Sequence, residues 1–344
     1  MTFPGRISDQ LLADKLDRVS LSFLVDTLEI RDGGVAANIT YGLARLGHRP
    51  LLVAAVGQDF HDYGRRLAEL GVRTSAVHAS ATRHTARFLC TTDPDGNQLA
   101  SFYAGAMAEA ADIDLVDVMD RCGRADLVLI GADAPAAMLR HTRACRALGI
   151  PYAADPAQQL ARLEGPEIRE LADGAHLLFT NEYEHELLLR KTGWTHAEVL
   201  RRIGTWITTL GEKGSRIEQA GSPAVDVSAV PTDAVVDPTG VGDAFRAGYL
   251  AALAAGHAPV RCAQTGSVMA SLALSAVGTQ TYDTTPEAVG DLLRTTYGAY
   301  ASAAPAAPGV VQGAAGVPHT PDNDRIAAGT AARPAGPADG GAQR

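Results

Sequence analysis

The sequence predicts an α/β fold built on a mainly parallel sheet with helices on both faces. Three observations carry that expectation. Short apolar runs bounded by turn residues alternate with helical patterns along most of the chain. One β-rich hairpin interrupts the alternation. Late in the chain, VVDPTGVGDAFRAGYLAAL (235–253) places a glycine-rich turn and an acid at the start of a helix.

In order, PLLVAAVG (50–57), DLVLIG (126–131), IPYAADP (150–156), HLLFTN (176–181) and TWITTLG (205–211) read as buried strands. Helical stretches fall around 60–70, 135–148, 183–192 and 195–203. Such alternation gives parallel strands joined by crossover helices. Ligands in these sheets bind at the carboxyl ends of the strands. Asp155, Asn181, Gly211 and Asp237 stand at or just past those ends, with Val235–Val236 closing the last strand.

TARFLCTTDPDGNQLASFY (85–103) reads as two short strands around a DPDGN turn. Pairing Thr92 with Gln98 sets Phe88 opposite Phe102. Two facing aromatics ordinarily make a small core or a strand-pairing contact. The sharper reading is a pair of rings that holds a flat ligand. SLSFLV (20–25) is expected to add a strand to this small sheet, which would then form a lid over the larger one.

Composition bounds the partners. The 344 residues are 46% hydrophobic and 20% charged, enough for one large domain core. A net charge of −9 argues against nucleic acid or an anionic membrane as the main partner. Cys90, Cys122, Cys145 and Cys262 form no CxxC pair, a pattern that fits reduced cytoplasmic thiols rather than disulfides or zinc. No stretch is long and apolar enough to span a membrane. The start, MTFPGRISDQ, does not read as a secretion signal. Residues 302–344 are dominated by Ala, Gly and Pro and are expected to be a disordered tail, leaving 1–300 as the folded domain.

The acid in the glycine turn has a chemical rationale. Amides of Gly240, Val241 and Gly242, with the helix dipole, make an anion site. A carboxylate there suits an anion that is transient. A phosphoryl group in transfer is stabilised by the N–H groups, while Asp243 takes the proton of the attacking hydroxyl as general base. Taken alone, the turn reads as well as ordinary helix capping. A Walker-type GxxxxGK[ST] loop is absent.

At these residues the chain resembles the ribokinase-like (PfkB) carbohydrate kinases. Asp237-Pro238-Thr239-Gly240-Val241-Gly242-Asp243 is similar to their C-terminal signature, with Val241 in place of a smaller residue. GGVAANITYGLARLGHRPLLVAAVG (33–57) is similar to the N-terminal one. Within the family, SLSFLVD, HTARF, ASFYAGAM, AADPAQQLARL and LFTNEYE most resemble bacterial adenosine kinases. The resemblance covers about residues 1–300. It implies a three-layer α/β/α fold with a β lid from about 18–32 and 84–104, and transfer of phosphate from ATP to the adenosine 5′-hydroxyl. The implied nucleoside ligands are Ser22, Gly34, Asn38, Phe88, Phe102, Gln158 and Gln159. Asn181 and the turn Thr209, Leu210, Gly211, Glu212, Lys213, Gly214 would hold ATP. Glu184 would organise Mg²⁺ through water, and the family admits K⁺ as a second cation. It also implies a homodimer joined through the lids.

Phosphorylation of ribose or inosine, or nucleoside binding without catalysis, remain open from the residues. Relatives carry a strand ending in a substrate-binding Asp ahead of the segment matching TFPGRISDQLL. That strand is expected upstream of Met1, which then reads as an internal methionine.

Overall fold

The alternation of apolar runs becomes a six-stranded sheet with a two-stranded sheet and a hairpin beside it. A computed structural model of the chain describes residues 1–10, 20–232 and 235–298. The expected tail lies outside the described residues, as do positions 18–19 of the expected lid.

Strands β1 (Leu51–Val56) and β2 (Arg73–Ala79) pair in parallel. Strands β3 (Arg87–Thr92) and β4 (Gln98–Tyr103) form the antiparallel hairpin. The main sheet comprises β5 (Val128–Ile130), β6 (Tyr152–Ala154), β7 (Leu177–Asn181), β8 (Thr205–Thr209), β9 (Ser215–Glu218) and β10 (Val225–Val227). Its order is β10-β9-β8-β7-β6-β5, parallel from β5 to β8 and antiparallel beyond. All five strands expected from apolar runs are present.

Alternate residues of each strand feed two cores, as a pleated sheet covered on both sides requires. Tyr152, Ala154, Leu178 and Trp206 face one core, shared with Met138, Ile168 and Leu188. Ala153, Leu177, Phe179 and Ile207 face the other, shared with Ile39, Phe245 and Cys262. The first core is covered by helices Pro135–Leu148, Gly165–Ala172 and Glu182–Thr192, the second by Val35–Arg45, Val241–Ala254 and Pro259–Leu274. The result is three layers, α/β/α. No helix among the described residues is long and apolar enough to cross a membrane.

The hairpin register is the expected one: Thr92 pairs with Gln98 and Phe88 with Phe102. Two sequence expectations fail nearby. SLSFLV (20–25) is not a strand. Instead Thr2 bridges both Thr27 and Thr92, and Phe23 packs edge-on against Phe3 at 4.9 Å. The N-terminal residues take the β3 edge that a further strand would have used. Val235–Val236 does not close a strand either. The N–H groups of Val236 and Asp237 both donate to Leu274 O, so this stretch caps the end of the Pro259–Leu274 helix.

Candidate active site

The carboxyl ends of β6, β7 and β8 open onto a cleft of about 400 Å³. Gly240, Gly242, Asp243 and Arg246 enter from the Val241–Ala254 helix, and Asn181, Glu184, Thr209 and Gly211 line the opposite part. Val35, Ala157 and Gln158 complete it. Thus the glycine turn and the expected nucleotide-binding residues converge, although 29 to 59 residues of chain separate Gly240 from Gly211, Thr209 and Asn181.

Gly240 caps the helix with φ +78°, and a Cβ there would meet Thr279 Cγ2 at 2.8 Å. Both facts favour glycine. The Val241 N–H makes only a long 3.4 Å approach to Pro238 O. The turn is braced from behind: Asp237 accepts from Thr239 N and from Gly278 N, each at 2.9 Å.

Asp243 sits in the first helical turn. Its Oδ2 accepts from Asn38 Nδ2 at 2.7 Å. Burial pushes its carboxyl up to about 6, with the Asn38 bond and Arg246 pulling it down. A base poised near neutrality in a cleft is suited to proton transfer. Asn38 is buried in the helix that Gly34, at φ +107°, begins.

Arg246 is a site residue that sequence reading did not find. Its guanidinium is buried and grips Asp155, with Nη2 to Oδ1 at 2.6 Å and Nε to Oδ2 at 2.5 Å. The second contact is close but poorly aligned as a hydrogen bond. Nη1 also donates to Gly242 O at 3.0 Å. One cation therefore faces Asp155, Asp243 and Glu184. Burial raises the Glu184 carboxyl above its ordinary range, opposed by an Asn181 hydrogen bond and Arg246.

Asn181 and Glu184 form a reciprocal capping box, Asn181 Oδ1 accepting from Glu184 N and Glu184 Oε2 from Asn181 N, each at 2.8 Å. Capping and cleft lining coexist in these residues. Of the β8–β9 turn, Thr209 and Gly211 reach the cleft, whereas Leu210, Glu212, Lys213 and Gly214 do not line it. Gln158 lines the cleft and Gln159 is buried beside it, its Oε1 without a hydrogen-bond partner among the described residues. Ala157 between them and Asp155 has φ +42°, the one non-glycine described residue with positive φ. Ser22 is exposed, and neither it nor the lid phenylalanines line this cleft. Phe88 is 67% and Phe102 56% exposed, so they do not form the small core that facing rings ordinarily make.

Among the described residues no cluster of three or more His, Cys, Asp or Glu is arranged to hold a metal. Mg²⁺ fits such a site when substrate phosphates supply most ligands and water the rest. Glu184, which lines the cleft with Asn181, would be the acid to meet such an ion through water.

The family model for pfkB family carbohydrate kinases matches residues 6–286. The chain belongs to this family. It is 30% identical over 272 residues to a nucleoside kinase of Methanothermobacter thermautotrophicus, covering 78% of this chain and 86% of that one. It is 28% identical over 289 residues to a ribokinase of Bacillus subtilis, covering 82% and 94%. Among solved structures, a Burkholderia thailandensis nucleoside kinase in complex with inosine superposes with a TM-score of 0.77 at 32% identity, covering 87% of this chain and 95% of that one. The fold is ribokinase-like.

Proposed function

We propose that the protein is an ATP-dependent nucleoside kinase that phosphorylates the 5′-hydroxyl of adenosine, giving AMP and ADP. The observation that carries the reading is Asp243, a buried acid poised near neutrality beside the Gly240–Gly242 turn in a cleft shared with Asn181, Thr209 and Gly211. Asp243 takes the proton of the attacking hydroxyl. The amides of the turn stabilise charge on the transferring phosphoryl group. Asn181, Thr209 and Gly211 orient the nucleotide, and Gln158, Gly34 and Asn38 the nucleoside. Glu184 would hold Mg²⁺ through water, and the ion would supply neutralisation of the phosphate charge.

The purine part rests on Phe88 and Phe102, paired across the hairpin and largely exposed. Base–aromatic stacking is worth ~1–3 kcal/mol per base. A second reading, inosine as acceptor, is favoured by the inosine complex of the Burkholderia thailandensis nucleoside kinase. The active form in this reading is a homodimer joined through the lids.

ADP release by the purified chain with Mg²⁺-ATP, offering adenosine, inosine and ribose in parallel, tests the assignment. Adenosine should exceed both others in kcat/KM by about tenfold or more, a difference of about 1.4 kcal/mol. Preference for inosine moves the assignment to the second reading, and preference for ribose removes the purine. Silence on all three from folded protein removes the enzyme.

A further inference from the structure

Four side chains from distant parts of the chain meet behind the cleft. Tyr63 Oη donates to Gly33 O at 3.2 Å. Gln280 Nε2 donates to Tyr63 Oη at 2.5 Å and to Asn38 Oδ1 at 2.8 Å. Asn38 Nδ2 then donates to Asp243 Oδ2 at 2.7 Å.

With Asp243 ionised, this order of donors and acceptors has a single solution. The Gly33 carbonyl only accepts, so the Tyr63 proton points to it. The Tyr63 oxygen must then receive a proton from Gln280, which fixes the Gln280 nitrogen toward Tyr63 and Asn38. Asn38 must present its oxygen to Gln280, which leaves its nitrogen on Asp243. Ionised Asp243 only accepts, so the chain closes with every donor on an acceptor. Turning either amide by half a turn sets oxygen against oxygen or N–H against N–H.

We infer that Gln280, braced by Tyr63, is a positioning residue that locks the Asn38 amide with its nitrogen on Asp243 and so keeps that carboxylate ready to accept a proton. The inference rests on Asp243 being the base of the proposed reaction. Asn38 is 5% exposed, so solvent does little to correct a misplaced amide. Freed from Gln280, Asn38 is able to turn its oxygen toward Asp243 whenever that carboxyl is protonated. The protonated form then gains a partner that it lacks in the parent. The charged and titratable groups around Asp243 are Arg246 on its own helix, Asp155 beyond β6 and Tyr282. Glu184, from the Glu182–Thr192 helix, lines the same cleft. Asp32 and Arg66 flank Tyr63 at the far end of the chain of bonds.

The same lock has a consequence for the acceptor. With Asn38 Nδ2 held on Asp243 and Oδ1 on Gln280, a sugar hydroxyl meets only the second N–H of Asn38 or the second lone pair of its oxygen.

The test uses Gln280→Leu, Gln280→Glu and Tyr63→Phe in the full chain, with two readouts. The first is exchange of the Asn38 side-chain amide protons in ¹⁵N spectra, which needs no turnover. It should be at least about tenfold faster in Gln280→Leu than in the parent, the loss expected when one hydrogen bond of about 1.4 kcal/mol goes. The second is the pH profile of kcat/KM on whichever acceptor the parent phosphorylates. Its acid limb should move up by roughly half to one pH unit in Gln280→Leu. The move should be larger in Gln280→Glu, whose carboxylate calls for the Asn38 nitrogen, and smaller but in the same direction in Tyr63→Phe. A merely structural role would lower activity equally at every pH, and that result overturns the inference. So does an Asn38 amide that exchanges alike in parent and variants. Where thermal melts show Gln280→Leu unfolded, Tyr63→Phe and Gln280→Glu decide by the same criteria. A parent inactive on every acceptor removes Asp243 as base, while amide exchange still reports whether Gln280 holds Asn38.

Discussion

Asp155 and Arg246, 91 residues apart in sequence, close on each other beneath the turn that carries Asp243. The pair is almost wholly buried, with side chains 1% and 7% exposed. Its arginine also holds the Gly242 carbonyl and lies 5.5 Å over the Phe179 ring. The acids facing this cleft thus have their charge partly offset from within.

The pair should behave as a unit in stability. Arg246→Met leaves Asp155 charged and unpartnered, at a cost of about 3–5 kcal/mol. Adding Asp155→Leu removes that stranded charge and should restore at least half of the loss. Urea denaturation of the parent, both single variants and the double variant measures the coupling. Additive effects would mean that the two side chains act independently.

Asp243→Asn should lower turnover by about 10²–10⁴-fold, the usual contribution of a positioned base, while sparing nucleoside affinity. It should also stabilise the fold, because burial holds this carboxyl up to about 6 in the native state, against about 3.9 unfolded. Between those values the folded protein binds more protons than the unfolded chain, so the penalty grows as pH rises through the window and is complete above it. At pH 7 Asp243→Asn should therefore be more stable than the parent by about 1–3 kcal/mol. The advantage should fade toward pH 4. Thermal melts across pH 4–8 check the sign, and a variant no more stable at pH 7 than at pH 4 contradicts it.

How much of this was legible beforehand follows from where the determinants lie in sequence. The hairpin register was readable because DPDGN fixes the turn and alternation fixes the faces. The glycine turn was readable because Gly240 and Asp243 are local requirements of one helix start. Arg246 was in plain view inside the same motif. Its partner Asp155 lies across the sheet, and nothing local marks an arginine as bound to a residue 91 positions away. Gln280 and Asn38, 242 apart, were hidden for the same reason. SLSFLV has the composition of a strand, but Thr2 took the available edge. Val235–Val236 has the composition of a strand end, but its side chains are largely exposed and its backbone is taken up by the end of a helix, which composition does not reveal.

The two faces of the hairpin divide its exposed apolar residues. Phe88 and Phe102 share one face, while Leu89, Leu99 and Tyr103 alternate onto the other. All are substantially exposed, as are Leu24, Leu28 and Ile30. If a second copy covers the leucine face, sedimentation at micromolar concentration should return a dimer. Leu89→Glu with Leu99→Glu should then give a monomer with a raised nucleoside KM. A monomeric parent would sink the lid-to-lid arrangement.

Phe102→Ala separates ligand stacking from lid packing. A phenylalanine in a core costs about 3–5 kcal/mol when cut to alanine. Phe102 is 56% exposed, so its removal should change stability by no more than about 0.5 kcal/mol. If the ring stacks on a purine, the same change should raise the adenosine KM by roughly 5- to 150-fold, the equivalent of about 1–3 kcal/mol, and leave the ribose KM, where ribose is turned over, almost unmoved. Steady-state kinetics on both acceptors, with a melt of each protein, separates the outcomes. An unchanged adenosine KM with a large loss of stability would assign the ring to packing. An equal rise for both acceptors would assign it to closing the lid, since only a stacking ring distinguishes a substrate that carries a base from one that does not.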